Sequence, residues 1–541
     1  MANRDNNLDI VIIGAGFSGL YMLYKLRKSG YRARIYEKGH GVGGTWYWNR
    51  YPGAGSDIES LEYSYGFDDA LQQEWEWKER YASQPELEKY LEHVAERFDL
   101  NKDIVFGQTV AGLQWDKVAA QWRCEFADGD VVEAPYVVMA TGLLSAPKAP
   151  DFEGLEEFKG RVLITSSWPH EEVDFTGRTV GIIGTGSTAV QAIPVIAQQA
   201  AQLKVLQRTP NFSAPRNNGP LDPDYVHLVK SDYPGWREKQ RNSFGGYVSV
   251  DFQAMEANPN MAMDLTPAER RAEYEFRWKS GGLCFYTSFQ DLLTSEEANE
   301  ELADFFREKI SARINDPEVA DLLLPRGYPV LTKRLCADTN YYETFNRENV
   351  ELVDISSSPI DRFDADGVVL NERKIELDDI IIATGFDAVT GAAIRINVRG
   401  EEGRSLADAW QYGPRTQAGI MTEGFPNMFF VNGPGSCTGF FNPVLNVEYQ
   451  GDWIAELLAH MHSNRTPVVD STKEAEQAWV DRMEEAAKPT LFWNSENWYI
   501  GANIPGKARV MLLYLGGFPA YKEYMESEAS GGYPGFSFRS A

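Results

Sequence analysis

The first apolar run of the chain, residues 8–13, is short and β-branched, and it passes at once into a glycine-rich stretch at 14–19. Residues 20–28 then carry apolar side chains at helical spacing, and 32–36 read as a second strand. Strand, turn, helix and strand make one βαβ unit. The same grammar returns with a strand at 179–183, a glycine turn at 184–189, a helix running to 200 and a strand at 203–207. From 222 the pattern changes, and segments such as ERRAEYEFRWK and SEEANEELADFFREKI place aromatic and charged residues at helical period with few strand signals. Strands resume at 350–353 and 380–382, and 429–432 leads into a Gly/Pro-rich loop at 433–441. The pattern predicts an α/β protein with two Rossmann-like dinucleotide-binding domains and a mostly helical insertion. The first domain takes residues 1–145 and 386–541, the second 150–220 and 333–385, and the insertion 221–332.

Gly14-Ala-Gly16-Phe-Ser-Gly19 has the spacing G-x-G-x-x-G after a strand, where glycines let the backbone approach a pyrophosphate seated on a helix N-terminus. Glu37, about twenty residues on, closes the second strand and is placed to accept hydrogen bonds from ribose hydroxyls. A carboxylate there suits FAD or NAD and disfavours a 2′-phosphate. Gly184-Thr-Gly186-Ser187-Thr188-Ala189 is a second fingerprint in its alanine variant, but its second strand ends in Gln207-Arg208-Thr209. An arginine in that place accommodates a 2′-phosphate and points to NADPH. Two further runs, Val138-Met-Ala-Thr-Gly142 and Ile381-Ile-Ala-Thr-Gly385, put small residues where backbone passes close to a nucleotide or crosses between domains.

A length of 541 residues suits three to four folding units at about 150 residues each. The formal net charge of -27 excludes nonspecific attraction to nucleic acid or anionic lipid, so any phosphate must be held by cations gathered locally. Cys124, Cys284, Cys336 and Cys437 are too far apart to form a C-x-x-C redox pair or a clustered metal site. No apolar run approaches the ~20 residues of a membrane helix, and the N-terminal stretch lacks a basic segment before an apolar signal region. These features predict a soluble, cytoplasmic protein without metal; the pattern carries no signature of oligomeric state.

The segment from Gly43 to Asp57, GGTWYWNRYPGAGSD, fits the pattern A/G-G-x-W-x4-F/Y-P-G/M-x3-D. With it the chain resembles the Baeyer–Villiger monooxygenases, in particular the phenylacetone and cyclohexanone monooxygenase branch. The likeness extends over nearly the whole chain, through RYASQPELEKYLEHVAERFDL, QRTP, TKRL followed by NYYETFNR, and NWYIGANIPGK. The resemblance implies FAD in the first domain, NADPH in the second, and catalysis in the cleft between them. It implies that NADPH reduces FAD, that O2 adds to the flavin, and that the resulting peroxide attacks a ketone to give an ester or lactone. It places the active-site arginine at Arg334 and its aspartate partner at Asp57. It counts Gly44, Thr45, Trp46 and Asp57 among the residues around the flavin, sets Lys333 with Arg208 and Thr209 around the 2′-phosphate, and brings Trp498 to the nicotinamide cofactor. The loop at 433–441 aligns with the substrate-lining segment, with Cys437, Phe440 and Phe441 shaping an apolar ketone pocket.

One departure stands out. The family signature F-x-G-x-x-x-H-x-x-x-W-P/D reads here Phe158, Gly160, Ile164, Trp168 and Pro169, so isoleucine occupies the histidine position. Isoleucine packs but neither donates nor accepts a hydrogen bond. Coupling between cofactor binding and catalysis is therefore expected to be weaker, with more peroxide leakage. This leaves three rivals: a flavin monooxygenase acting on N or S, a weakly coupled NADPH oxidase, and a flavin-binding sensor. A disulfide reductase of the same architecture would need a paired redox cysteine motif, which the chain lacks.

Overall fold

The computed structural model describes residues 8–148 and 150–540; the polar start of the chain, read above for the lack of a signal segment, lies outside the described residues. In chain order the strands that build the two central sheets are β1 (Ile10–Ile13), β2 (Ala33–Glu37), β3 (Ile104–Phe106), β4 (Tyr136–Met139), β5 (Arg161–Ile164), β6 (Thr179–Ile183), β7 (Gln202–Gln207), β8 (Val350–Asp354), β9 (Asp379–Ile382) and β10 (Met428–Phe430). Helix α1 (Phe17–Lys28) joins β1 to β2, and α2 (Ser187–Gln199) joins β6 to β7.

The first sheet runs β10-β4-β1-β2-β3 and the second β8-β7-β6-β9-β5. Every pairing in both is parallel. Covered on both faces, the central strands are rich in apolar residues: all four residues of β1 are buried, as are all four of β9, whose Asp379 is paired with Arg161 and Arg178. Two smaller sheets fill the gaps in the chain. Val110–Asp116, Gln121–Phe126 and Val131–Ala134 pair antiparallel and are joined in parallel by Asn397–Arg399, and Ile360–Asp364, Gly367–Leu370 and Arg373–Glu376 form an antiparallel meander. The sequence reading left both unassigned.

Residues 221–332 fold mainly as helices, the longest being Pro267–Ser280 and Glu296–Ser311. Each begins at a hydroxyl cap, and Thr266 and Glu269 form a reciprocal capping box. Among the described residues no helix is long and apolar enough to cross a membrane.

Two carboxylates fasten this helical region to the first domain. Glu59 accepts from the Val250 amide at 2.7 Å and from the Arg80 guanidinium at 2.8 Å, while Glu62 accepts from the amides of Val248, at 2.9 Å, and Ser249. Both acids are buried. Burial, reinforced by the charge of Glu59, pushes the Glu62 carboxyl up to about 8.

The folded protein thus binds the Glu62 proton more tightly than the unfolded chain does. The stabilisation from this group is complete below its ordinary value of 4.5 and is lost as pH rises through about 8. Glu62→Gln keeps an accepting oxygen and removes the charge. We expect the variant to melt at a higher temperature than the wild type near about pH 9 and at nearly the same temperature near about pH 5, measured by calorimetry in matched buffers.

Candidate functional site

The turn between β1 and α1 is shaped by what its glycines lack. Gly14 has φ +105°, and a Cβ there would sit 2.6 Å from the Ala140 carbonyl oxygen; one on Gly19 would lie 1.8 Å from the oxygen of Gly14. A Cβ on Gly16 would meet Gly44 Cα at 3.3 Å, so two glycine segments close on each other at the N-terminus of α1. Glu37 completes this turn, its carboxylate accepting from Ala15 N at 2.8 Å and from Gly39 N at 2.7 Å. In the second domain Gly184, φ +113°, would carry its Cβ 2.5 Å from the Ala383 oxygen, whereas a Cβ on Gly186 would meet nothing within 4 Å. Open space therefore lies in front of the N-terminus of α2, which begins with Ser187 and Thr188. Unpaired helix N–H groups facing free space are a place for phosphate.

The segment from Gly43 to Asp57 connects these two turns, which accounts for its composition. Gly44 lies against the first turn, and Thr45 and Trp46 start a short helix beside it. Further along, Tyr51 donates to the Gln191 side chain on α2 at 2.9 Å, and Gln191 donates to the Gly55 carbonyl at 3.0 Å. Gly53, φ +82°, would place a Cβ 2.4 Å from the Gln191 carbonyl oxygen, so only glycine lets the segment lie this close to the helix.

At its end Asp57 meets Arg334 in a two-point pair, with Nε at 3.0 Å and the second nitrogen at 2.8 Å from the two carboxylate oxygens. The remaining terminal nitrogen of Arg334 donates to the Gly439 carbonyl at 2.8 Å. Burial works against the Asp57 carboxylate, but the Arg334 guanidinium, helped by Arg216, holds its pKa below the ordinary value. Each terminal nitrogen of Arg334 keeps a second N–H. The arrangement offers fixed positive charge and spare donors at a point where the first sheet, the second sheet and the 433–441 loop meet.

Both glycine turns, Glu37, Asp57, Arg208, Thr209, Lys333, Arg334 and Trp498 line one cleft of about 1760 Å³. That exceeds the space of a single drug-sized ligand and suits two dinucleotides with a small third molecule. Arg208 is exposed at the end of β7 and neither it nor Lys333 is ion-paired with an acid among the described residues. Lys333 lies 4.1 Å from the centre of the Tyr328 ring, and burial together with the Arg208 charge holds its pKa below the ordinary value. Two cations held near each other in this way favour a multiply charged anion.

The loop residues separate. Phe441 lines the cleft, but Cys437 is fully buried in the core of the first domain and does not. Phe440 packs its ring 5.2 Å from Tyr286, 4.8 Å from Phe492 and 4.8 Å from Tyr499, outside the open cleft. Trp498 stacks 4.0 Å from Tyr499 and faces Gly439. Arg216, Tyr247, Tyr286 and Tyr499 surround the ion pair without any motif having marked them. Arg216 follows the short strand Ser213–Pro215, and the three tyrosines come from the helical region and the C-terminal loop, where no periodicity points at a site.

Ile164 ends the edge strand β5, pairs with Ile382, packs against the apolar cluster that holds Phe158, Leu377 and Ile382, and does not line the cleft. Six residues on, His170 shares a hydrogen bond through Nδ1 with Arg50, lies 4.6 Å from the Tyr47 ring, and Arg50 in turn pairs with Glu88. The strand is thus tied to the Gly43–Asp57 segment by a histidine outside the signature.

The family described as pyridine nucleotide-disulphide oxidoreductase matches residues 11–231. Acetone monooxygenase (methyl acetate-forming) of Gordonia sp. (strain TY-5) is 40% identical over 533 residues, 98% of this chain and 99% of its own length. Baeyer-Villiger monooxygenase of Pseudooceanicola batsensis is 39% identical over 531 residues, 97% of this chain and 95% of its own. Among solved structures, the OTEMO complex with FAD and NADP is similar with a TM-score of 0.93 at 36% identity, covering 98% of this chain and 99% of that one.

Removing Arg334 leaves Asp57 partly buried without its counter-ion. We expect Arg334→Ala to cost about 3 kcal/mol at neutral pH, where the orphaned carboxylate must stay charged or take up a proton. The loss shrinks at about pH 3, below the ordinary carboxylate value of 3.8, where the carboxyl is protonated in the variant and in the unfolded chain. Urea unfolding of variant and wild type at the two pH values checks this; a pH-independent difference would count against the pair.

Proposed function

The chain belongs to the Baeyer–Villiger monooxygenases, and from that premise we propose that it oxidises ketones to esters or lactones with NADPH and molecular oxygen. The observation that carries the reading is the Arg334–Asp57 pair, set at the junction of two dinucleotide-type turns in one cleft. The first site would hold FAD, with the Gly14–Gly19 turn, the N-terminus of α1 and Gly44 meeting its pyrophosphate and Glu37 its ribose. Gly16 and Gly44 lie in contact, and the lack of side chains on both leaves the face of the turn beside them open to a dinucleotide. The second would hold NADPH, with Gly186, Ser187 and Thr188 meeting its pyrophosphate and Arg208, Thr209 and Lys333 its 2′-phosphate. Bound FAD supplies the redox chemistry, taking electrons from NADPH and activating oxygen.

What the chain contributes is position and charge. Arg334 faces the reacting carbonyl with a guanidinium that stays protonated at any working pH, so the negative charge growing on the ketone oxygen meets a fixed cation. Asp57 holds that cation by two points. Its own proton affinity is lowered by Arg334, so it stays an anion and does not trade protons with the substrate. The aromatic side chains around Phe440 keep water from the site. Trp498 bounds the nicotinamide end.

The test is to follow NADPH and oxygen consumption by the purified protein with phenylacetone, cyclohexanone and 2-butanone while quantifying ester and hydrogen peroxide. Ester formed in proportion to NADPH is the expected result. Peroxide alone with all three ketones, or N- or S-oxide formed from an added amine or sulfide while no ketone gives ester, would overturn the reading. Arg208→Ala should raise KM for NADPH by about ten- to a hundredfold with little change in kcat and should narrow the preference for NADPH over NADH, since it removes uniform binding of the 2′-phosphate.

A further inference from the structure

Arg216 is buried, and among the described residues it is ion-paired with no acid. One terminal nitrogen donates to the Ser56 carbonyl at 2.6 Å, while Nε has no hydrogen-bond partner among the described residues. The guanidinium lies 5.5 Å from the centre of the Tyr81 ring. The glycine-rich segment makes room for it, since a Cβ on Gly55 would sit 2.6 Å from the same terminal nitrogen. A neutral amide could serve one carbonyl, and burying a cation without a partner of its own is costly. The hydrogen bond alone does not account for the charge.

The carbonyl that Arg216 holds belongs to the peptide joining Ser56 to Asp57, and a peptide is planar. Arg216 thereby fixes the plane from which the Asp57 side chain springs. The strand Ser213–Pro215 pairs in parallel with Cys336–Asp338, and the Arg216 amide donates to the Asp338 carbonyl at 2.8 Å. Arg216 follows one strand and Arg334 precedes the other, so the two guanidiniums reach residues 56 and 57 from opposite ends of one strand pair. Arg334 lines the cleft and Arg216 does not. Besides Asp57, the titratable groups whose fields reach Arg216 are Tyr81, Glu79 and Tyr51. Glu79 accepts from the Asn218 side chain at 2.8 Å and is not ion-paired with Arg216. An arginine and an aspartate in contact carry no net charge, so the pair alone presents the cleft with a dipole. A second guanidinium behind the carboxylate leaves the group of three with one uncompensated positive charge.

We propose that Arg216 is a positioning residue for ketone oxidation, holding Asp57 from behind through its peptide and offsetting its charge, so that Arg334 meets the substrate oxygen as an uncompensated cation. The proposal deepens the ketone-oxidation reading above and rests on it. Negative charge growing on that oxygen is then stabilised by two arginines, of which one faces the substrate.

The experiment uses the FAD-loaded enzyme with NADPH, oxygen and cyclohexanone. Arg216→Gln keeps a donor for the Ser56 carbonyl and removes the charge, whereas Arg216→Lys keeps the charge. In Arg216→Gln, kcat for ester formation should fall about ten- to a hundredfold while KM for cyclohexanone and for NADPH stays within about twofold, and Arg216→Lys should recover most of the loss. The acid limb of the kcat profile should move to higher pH in Arg216→Gln, where Asp57 has lost one of its two cations, and stay in place in Arg216→Lys. Wild-type kcat and pH profile in Arg216→Gln would overturn this inference and leave the ketone reading standing. So would Arg216→Lys performing no better than Arg216→Gln, which would reduce Arg216 to packing. The wild type tests the charge without any variant, with NADP+ bound so that Arg208 and Lys333 are occupied. Cyclohexanecarboxylate should then bind about five- to tenfold more tightly, by calorimetry, than the neutral cyclohexanecarboxamide. Equal or weaker binding of the carboxylate would overturn the inference. A wild type that forms no ester from any ketone would overturn both readings.

Discussion

The pair between Arg334 and Asp57 is the constraint on which the rest of the site depends. Its two halves come from opposite sides: Asp57 ends the segment that begins at the first glycine turn, and Arg334 follows the helical region on the way back to the second sheet. The third donor of Arg334 holds Gly439, in the loop after β10. One guanidinium therefore fixes the relative position of three pieces of chain remote in sequence. Taking two charges out of water is costly, and such a pair is seldom a net gain in stability over apolar packing. Its retention at the mouth of a nucleotide cleft fits a requirement for charge at that point.

The glycines between Gly43 and Gly55 follow from the same geometry. If Asp57 is to reach Arg334, its segment must slide along α2, and Gly53 lies where any side chain would strike the backbone of that helix. Tyr51 and Gln191 then lock the sliding surface by hydrogen bonds. The acidic clamp at Glu59 and Glu62 continues the chain of cause, since it holds Val248 to Val250 and so places Tyr247, the preceding residue, near Arg334. The placing of the Arg334–Asp57 pair and the docking of the helical region are thus one problem, solved by residues between Asp57 and Glu62.

How much of this the sequence discloses depends on the range of the cause. The β1–α1 and β6–α2 units were legible because strand, glycine turn and helix are local and their periods differ. Strand boundaries moved by one or two residues, as at β1, which begins at Ile10 and not at residue 8. The two smaller sheets were missed: their strands are short, and one such as Val110–Asp116 carries exposed residues such as Ala111 and Gln114 beside buried ones, although most of the pairings are local hairpins and only Asn397–Arg399 joins from a distance. Within the site, Asp57 and Arg334 were reached through a motif, and Tyr247, Tyr286 and Tyr499 were not, because a buried phenol reads in sequence like any core aromatic. Cys437 shows the opposite error. Its place in a substrate-lining loop suggested the pocket, but loop residues point inward as well as outward, and this one packs into the first core.

The charge of the whole chain completes the picture. A protein of net charge -27 repels phosphates at long range, yet the cleft must hold them. The resolution is one of distance: at about 0.15 M ionic strength the field of the distant surface is screened beyond ~8 Å, whereas helix N–H groups and the cations of Arg208 and Lys333 act in direct contact. The acidic surface also gives selectivity, since a ligand must offer enough contacts to offset the repulsion, and a dinucleotide with an extra phosphate does so where a lone phosphate does not. The same logic favours a neutral substrate. A ketone carries no charge to be repelled on approach and develops it only once it lies beside Arg334.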